Sequence, residues 1–475
     1  MADLLSVGID IGTSTTQVIF SRLELENTSG YFSVPHVSIV DKEVVYKSDI
    51  HFTPLRTASL IDADKVRDIV AGEFAKAGYA PADTGTGAVI ITGESARKEN
   101  AGAVLERLSG FAGDFVVSTA GPDLEAIIAG KGSGAWQYSL DNGCAAVNLD
   151  IGGGTTNVVL FDGGDVAAKG CVDIGGRLIR LSPGLTVEKI SPAAALAARE
   201  AGAALEEGRQ ADLGELKKVT DVFARLLEEL MGLRPQSSLL RQLQTPGSTW
   251  FQPGRPVERV CFSGGVADHI YREGGDPFRY GDIGPLLGQS IRESGVFHRL
   301  RVLEARETIR ATVVGAGTYA TSISGSTIFY TGEIFPLKNV PVLKLSAREQ
   351  EEAFRGDRAA LEARVRWFLE QCGSDRMILA LPGKADPGYG ELCAVASAIA
   401  GALDEALPRG EPILIVVEHD MAKALGQAVE ALTGSRRAVA AIDSIKVEQN
   451  DYVDMGRPLM DGMVIPVVVK TLIFG

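Results

Sequence analysis

The sequence predicts an α/β protein, because short β-rich runs that end in glycine or small polar residues alternate with longer helical stretches. The 475 residues are enough for about three domain-sized units. The hydrophobic share of 45% is typical of a globular protein with a sizeable core. We predict strands over residues 5–10, 88–92, 145–150 and 259–263, and helices over residues 63–77, 94–108, 192–207 and 212–231.

The charge and the composition exclude several functions. The 61 acidic and 47 basic side chains give a net charge of −14, which repels phosphodiester backbones and anionic lipid. The longest apolar stretch, residues 393–403, is too short to span a bilayer, and Asp3 and Asp10 interrupt the apolar N-terminus where a signal peptide would lie. The cysteines form no CxxC pair, which argues against zinc or iron–sulfur ligation, and the histidines form no HxxxH pair, so they are not expected to be metal ligands. We expect a soluble, cytoplasmic protein with no nucleic-acid and no membrane partner.

An internal repeat is the most informative feature of the chain. Residues 7–20 (VGIDIGTSTTQVIF) and 147–160 (VNLDIGGGTTNVVL) are identical at seven of fourteen positions. Each copy predicts a strand that ends in an aspartate, Asp10 or Asp150, followed by a glycine turn, hydroxyl residues and a second strand. Such a turn presents backbone N–H groups to anionic oxygens, and the aspartate can hold Mg²⁺ through water. Two such hairpins can grip a polyphosphate between them. The predicted phosphate-binding residues are Gly12, Thr13, Ser14, Thr15, Gly152, Gly153, Gly154, Thr155 and Thr156.

The two hairpins resemble the phosphate-1 and phosphate-2 loops of the actin, heat-shock chaperone and sugar kinase superfamily. Residues 120–130 resemble its first connecting helix, residues 260–268 its adenosine motif, and residues 307–320 its second connecting helix. The resemblance implies a two-lobed actin-like ATPase fold of ribonuclease H-like domains, with ATP and Mg²⁺ as cofactors. It implies that Asp10 and Asp150 are the catalytic residues and organise the metal. Nucleoside contacts are expected at Ser263, Gly264, Gly265 and Val266, and hinge positions at Pro122, Gly130, Gly315 and Gly317.

These motifs and a second α/β pattern late in the chain predict three regions. Residues 1–130 are the first ATPase lobe, and residues 131–330 are the second lobe, which carries the adenosine motif. Residues 331–475 are a further α/β region that packs on the first lobe or completes it. Prolines and glutamines predict an exposed loop over residues 234–258. In the last region we predict strands over residues 377–381, 413–417 and 463–469, and helices over residues 346–372, 391–407 and 421–432.

The whole chain resembles the ethanolamine ammonia-lyase reactivases, including residues 382–389, 417–426 and 464–475, which have no obvious chemical logic of their own. The resemblance implies an ATP-dependent, chaperone-like factor that acts on adenosylcobalamin-dependent ethanolamine ammonia-lyase. Such a factor promotes release of damaged cobalamin and its replacement by intact adenosylcobalamin. It also implies slow ATP turnover that serves protein remodelling, and a homodimer. Association with a bacterial microcompartment stays open.

One position departs from the hydrolytic relatives. In heat-shock chaperones a glutamate precedes the proline of the first connecting segment, whereas here Gly121 precedes Pro122. Loss of that carboxylate removes a group that could orient water, so hydrolysis is expected to be slow or to use another acid. Asp123 and Glu125 are close in sequence, although acids at a helix start are commonly explained by the helix dipole.

Two other functions are compatible with the same fold. A small-molecule kinase is the runner-up, and Asp62, Asp64, Asp173 and Asp268 are candidates for its general base. An actin-like filament protein is the third class. Residues 315–320 satisfy the GxGxxA pattern of dinucleotide-binding proteins, but the sequence predicts a continuous helix there instead of a strand-to-helix turn.

Overall fold

A computed structural model describes the chain at residues 2–12, 15–28, 37–57, 60–92, 95, 100–108, 111, 117–119, 121–319, 322–325, 327–434, 436–449 and 451–471. Three large sheets organise these residues, and each has its own hydrophobic core. None of the helices in the described ranges combines the length and the apolar character that crossing a bilayer requires.

The first sheet is built around the N-terminal hairpin. Its strands lie in the order β3-β2-β1-β7-β8, with β4 paired to β2; β1, β2 and β3 are antiparallel, and β7 and β8 run parallel to β1. The elements are β1 Ala2–Ile11, β2 Thr15–Asn27, β3 Val37–Lys47, β4 His51–Phe52, β5 Leu55–Thr57, β6 Leu60–Ile61, α1 Ala63–Ala77, a 3₁₀ turn Pro81–Asp83, β7 Thr86–Ile91, α2 Ala101–Leu108, β8 Val117–Thr119 and α3 Pro122–Gly132.

The second sheet repeats this topology. Its order is β11-β10-β9-β14-β15, with β9, β10 and β11 antiparallel and β14 and β15 parallel to β9. The elements are α4 Ala135–Asn142, β9 Ala145–Ile151, β10 Thr156–Asp162, β11 Asp165–Val172, β12 Ile179–Leu181, β13 Val187–Ile190, α5 Pro192–Ala201, α6 Leu213–Leu230, α7 Ser238–Gln242, β14 Arg259–Ser263, α8 Ala267–Tyr271, α9 Gly284–Arg292, α10 Gly295–Arg299, β15 Arg301–Leu303 and α11 Ala311–Tyr319.

The shared topology confirms the predicted fold class. In both sheets a three-stranded antiparallel meander is followed by two strands that add, in parallel, on the side of its first strand. This is the strand order of a ribonuclease H-like domain, and its duplication in one chain is the actin-like arrangement. The two connecting helices are exchanged between the sheets, because α3 packs on β9, β10 and β11 while α11 packs on β1, β2 and β7.

The third sheet is the further α/β region. Strands β18, β19, β20 and β21 are parallel and adjacent, and the complete order is β16-β23-β22-β18-β19-β20-β21-β17. Helices α12 to α15 pack together on one face of the parallel strands. The elements are β16 Ser322–Ile323, β17 Phe329–Tyr330, β18 Leu337–Lys344, α12 Ala347–Phe354, α13 Arg358–Cys372, β19 Ile378–Leu381, α14 Tyr389–Ala406, β20 Ile413–Val417, α15 Ala422–Thr433, β21 Val439–Ile442, β22 Asp451–Met455 and β23 Pro466–Thr471.

Several predicted helices end or break at glycines. The helix predicted over residues 192–207 ends at Ala201, because Gly202 adopts a φ of 63° and its N–H bonds back to the helix. The helix predicted over residues 346–372 is two helices, since Gly356 has a φ of 83° and Asp357 caps the second one. The second connecting helix begins at Ala311 instead of residue 307. Part of the helix predicted over residues 94–108 lies outside the described residues.

The prediction of an exposed loop over residues 234–258 is wrong for much of this segment. It contains α7, and the side chains of Leu240 and Phe251 are buried in the core of the second sheet. The backbone of Thr245 bonds to Cys171 in β11 at 3.1 Å. Prolines and glutamines do occupy solvent-exposed positions here. The apolar residues between them nevertheless bury enough surface to fix the path of the chain.

Candidate functional site

The first hairpin of the repeat places an aspartate beside its turn. Asp10 lies near the end of β1 and pairs across the ladder with Gln17 of β2. The turn closes through a hydrogen bond from Gly12 N–H to the carbonyl of Thr15, at 2.8 Å. The hydroxyl of Thr53, beside β4, donates to the carbonyl of Gly12 at 2.8 Å and stabilises the turn. The predicted phosphate ligands Thr13 and Ser14 lie outside the described residues.

The second hairpin has the same construction. Asp150 of β9 pairs with Asn157 of β10, and Gly152 N–H bonds to the carbonyl of Thr155 at 2.9 Å. A following loop supports the turn, because Arg177 N–H bonds to the carbonyl of Gly153 at 2.7 Å. The predicted ligand Gly154 has open space where a Cβ would stand, whereas the hydroxyl of the predicted ligand Thr156 is buried and donates to the carbonyl of Ile174.

The two carboxylates are buried and electrostatically coupled. Thr92 donates to Oδ1 of Asp10 at 2.9 Å, and Ser263 donates to Oδ1 of Asp150 at 2.6 Å. Burial raises the pKa of Asp10 to about 7; the hydrogen bond from Thr92 opposes the rise, and the charge of Asp150 adds to it. Burial also raises the pKa of Asp150 to about 6, against hydrogen bonds from Ser263 and Asn157. The carboxylates of the two hairpins therefore lie within electrostatic reach of each other.

The chemistry of this pair fits a hydrated cation. Gln17 and Asn157, the cross-strand neighbours of the two aspartates, each have a buried amide oxygen without a hydrogen-bond donor. Buried acceptors of this kind need a partner, and water held by Mg²⁺ is a suitable donor. Our sequence interpretation missed both residues. The signal was present, since each amide lies seven residues after its aspartate in the repeat.

The adenosine motif lies directly beside the second hairpin. Ser263 ends β14 and bonds to Asp150, so its hydroxyl already has a partner. Gly264 has a φ of 86°, and a Cβ there would lie 2.4 Å from the carbonyl oxygen of Ile151. Gly265 faces open space, and Val266 N–H bonds to the carbonyl of Ile151 at 3.2 Å. The motif therefore leaves the backbone of Gly265 open next to the second hairpin.

The connecting helices touch through glycines. A Cβ on Gly315 would lie 2.0 Å from the carbonyl oxygen of Ile128, and one on Gly132 would lie 1.9 Å from that of Ala311. Gly132 was not among the predicted hinge residues.

The remaining predicted hinge residues have different surroundings. Gly317 packs on the backbone of Gly8 in β1, where its Cβ would lie 3.0 Å from the amide nitrogen. Gly130 packs instead on the side chains of Val159 and Phe161 in β10. Pro122 begins α3, with Gly121 as an N-cap that offers no side chain.

The other candidate acids have partners of their own. Asp123 is buried and accepts hydrogen bonds from the backbone and hydroxyl of Thr249. Of the candidate kinase bases, Asp62 caps α1 and Asp64 pairs with Arg56 and Arg107. The other two accept threonine hydroxyls, Asp173 from Thr245 and Asp268 from Thr308. In the described part of the chain, no group of three or more histidine, cysteine, aspartate or glutamate residues could hold a metal ion.

The duplicated ribonuclease H-like sheets, with a buried aspartate on the hairpin of each, place the protein in the actin-like structural class. The family model described as "Ethanolamine utilisation protein EutA" matches residues 2–475, and the chain belongs to this family.

The chain is 37% identical over 490 residues to "Ethanolamine ammonia-lyase reactivase EutA" of Salmonella typhimurium, covering 99% of this chain and 98% of the relative. It is 36% identical over 476 residues to the protein of the same name from Escherichia coli K12, with the same coverage. Among solved structures it is similar to the PPX-GPPA enzyme of Aquifex aeolicus, with a TM-score of 0.41, 15% identity, and coverage of 66% of this chain and 99% of the other. It is also similar to the ethanolamine utilization protein EutJ of Carboxydothermus hydrogenoformans, with a TM-score of 0.31, 14% identity, and coverage of 67% and 90%.

Proposed function

We propose that the protein is a reactivating factor for ethanolamine ammonia-lyase that uses ATP and Mg²⁺ to release damaged cobalamin so that intact adenosylcobalamin can enter. The reactivase name of two relatives that align over 99% of the chain supports the partner. The observation that carries the nucleotide part is the pair of buried, coupled aspartates, Asp10 and Asp150, on equivalent hairpins.

In this proposal the ATP phosphates lie between the two turns, and the nucleoside lies against the backbone from Ser263 to Val266. Asp10 and Asp150 hold Mg²⁺ through water, and the orphan amide oxygens of Gln17 and Asn157 accept hydrogen bonds from that water. When bound, Mg²⁺ neutralises phosphate charge. Two buried carboxylates with raised pKa values are unfavourable when ionised, so a cation beside them stabilises the ionised pair.

We further propose that ATP turnover is slow. Gly121 supplies no carboxylate ahead of α3, and Asp123 is occupied by Thr249. Asp10 can still accept a proton from water, because a cation beside it keeps the carboxylate ionised. Thr92 occupies Oδ1 of this carboxylate, so the proton would go to Oδ2. With Asp10 as the base and no carboxylate at Gly121 to orient water, we expect slow ATP hydrolysis, which suits a protein that uses ATP to change conformation.

Residues 308–310 contact both the adenosine motif and the first sheet. Thr308 accepts Gly264 N–H through its carbonyl at 3.0 Å. The next residues reach the first sheet, since Gln17 donates to the carbonyl of Ile309 at 3.4 Å and Arg310 donates to the carbonyl of Ser48 at 3.0 Å. We propose that a nucleoside at the adenosine motif favours one arrangement of the two lobes. ATP can shift the equilibrium between the two lobe arrangements only if it binds one arrangement more tightly than the other.

We propose the three regions of the sequence prediction, 1–130, 131–330 and 331–475, except that residues 322–330 go with the last region because β16 and β17 belong to its sheet. The last region packs on the first lobe. A shared cluster supports this packing, because Val464 lies with Leu4, Leu23 and Leu25 of the first sheet. We also propose a cytoplasmic homodimer, which light scattering of the purified chain tests. Association with a microcompartment stays a prediction.

A reactivation assay tests the proposal. Inactivated ethanolamine ammonia-lyase is mixed with free adenosylcobalamin and MgATP, with and without this protein, and recovered lyase activity is measured. We expect recovery only when protein and ATP are both present. Asp150→Ala should reduce recovery by roughly 10²-fold or more, since it removes an electrostatic and metal-organising group. The control is Asp165→Ala, an exposed aspartate of the same sheet. Full recovery with Asp150→Ala contradicts the assigned role, and ATP use that requires an added sugar or short carboxylate favours the kinase.

A further inference from the structure

The parallel strands of the third sheet end in a cluster of oxygen-bearing side chains. Strands β19, β20 and β21 run in the same direction, so the residues after them lie at one edge. Asp420 follows β20, and Asp443 follows β21 directly. Thr327, just before β17, reaches the same place because β17 is antiparallel to β21. The carboxyl edge of parallel strands is the usual position of ligand sites in α/β sheets.

In the part of the chain that the structure describes, the carboxylates of this cluster share a single hydrogen-bond donor, the hydroxyl of Thr327. The Thr327 hydroxyl contacts Oδ1 of Asp420 and Oδ2 of Asp443. A hydroxyl carries a single hydrogen, so it can donate to only one of the two carboxylates. The Asp443 side chain is only 1% exposed, and its Oδ1 has no hydrogen-bond partner. On one side this atom is covered by backbone, because a Cβ on Gly325 would lie 1.9 Å from it.

The cluster also lacks positive charge. Within the described ranges, neither Asp420 nor Asp443 has a lysine, arginine or histidine nitrogen within 4.0 Å. The neighbouring acid Glu418 does have one, since it pairs with Lys344 at 3.3 Å. A buried carboxylate without a counter-charge is costly, and burial together with Asp420 raises the pKa of Asp443. The site therefore provides three oxygen ligands and needs a cation.

We propose that Thr327, Asp420 and Asp443 form a binding site for a hard divalent cation, Ca²⁺ or Mg²⁺, separate from the nucleotide hairpins. Such cations take carboxylate and hydroxyl oxygens as ligands. Asp443 is the buried anchor, and its Oδ2 faces Thr327, while Asp420 supplies a second charge from the exposed rim. Because Asp420 is exposed, water can complete the coordination shell. The site assigns a chemical role to residues of the segment 417–426, which the sequence alone left without one.

The test uses the full chain, freed of metal with a chelator and kept without nucleotide. Asp150→Asn serves as the background, because it disables the hairpin site and leaves the third sheet unchanged. Calorimetry and thermal unfolding are measured against Ca²⁺ and Mg²⁺. We expect one cation per chain and a melting temperature that rises with the cation concentration. Binding that survives in this background is therefore independent of the proposed nucleotide site.

Two variants on that background identify the ligands. Asp420→Asn, at an exposed position that tolerates an amide, should weaken cation binding at least tenfold. Asp386→Asn, an exposed aspartate in the loop after β19, is the matched control and should bind the cation normally. Absence of any cation effect on the parent background overturns the proposal. Equal affinity in Asp420→Asn and Asp386→Asn also overturns it. A melting temperature that is indifferent to metal but higher in Asp443→Asn at neutral pH indicates a shared proton, and overturns it as well.

Discussion

Replacing Asp10 by asparagine should stabilise the ligand-free protein while removing a group proposed for function. The folded-state pKa of about 7 lies roughly three units above the usual value of 3.8. Each unit corresponds to about 1.4 kcal/mol, so ionising Asp10 in the fold costs at most about 4 kcal/mol. Between pH 4 and pH 7 the unfolded chain loses this proton and the folded chain keeps it. Stability from Asp10 is therefore complete below pH 4 and is lost as the pH rises through 7.

Denaturant unfolding of the apoprotein at several pH values between 4 and 8 measures this effect. Asp10→Asn should remove somewhat more than half of the pH dependence that the two aspartates produce and raise the free energy of unfolding at pH 8 by up to about 4 kcal/mol. The residual slope belongs to Asp150, whose pKa is about 6. MgATP should raise the melting temperature of the parent protein and not of the variant. The reasoning is refuted if Asp10→Asn is no more stable than the parent at pH 8, or if exposed Asp165→Asn gives the same gain.

Two further predictions concern stability, and denaturant unfolding checks both. Gly315→Ala places a Cβ 2.0 Å from the carbonyl oxygen of Ile128 and should cost about 1–3 kcal/mol. Gly72→Ala, in α1 with nothing within 4 Å, should be neutral or stabilising by up to about 1 kcal/mol, and equal effects contradict the helix contact. Arg437 is buried and its guanidinium donates to carbonyls and a carboxylate between residues 404 and 411, so Arg437→Met should cost about 3–5 kcal/mol. Arg436→Met, at an exposed position, should leave stability nearly unchanged.

The sequence predicted the repeated hairpins because their signal is local. A strand, an aspartate and a glycine turn leave the same pattern at both positions, and the cross-strand pairs of Asp10 and Asp150 follow from the turn. The helix predicted over residues 212–231 matches α6, and the structure shows that Asp212 and Glu215 form a capping box at its start. Local patterns therefore predicted the two hairpins, and the resemblance that those hairpins carry predicted the actin-like fold class.

Contacts between distant segments were not predictable from one sequence. Thr249 lies in a stretch rich in proline and glutamine, yet it binds Asp123 of the first connecting helix across more than a hundred residues. Asp420 and Asp443 meet only because parallel strands bring their ends to one edge. Nothing in the sequence around Gly132 indicates that this helical glycine contacts the backbone of Ala311 in α11. Hydrophobic periodicity indicates the structure of a single helix or strand, whereas these contacts depend on how two segments pack against each other.

The exchange of the connecting helices constrains how the lobes can turn against each other. Each sheet carries the helix that leads out of the other one, so rotation of the lobes must slide α3 along α11. At Gly132 and Gly315 the backbones of α3 and α11 are in direct contact. Sliding of one helix along the other therefore does not require interlocked side chains to separate at this point. Such a contact resists separation of the helices and offers little resistance to shear. We therefore expect the lobes to shear about this crossing more readily than they separate.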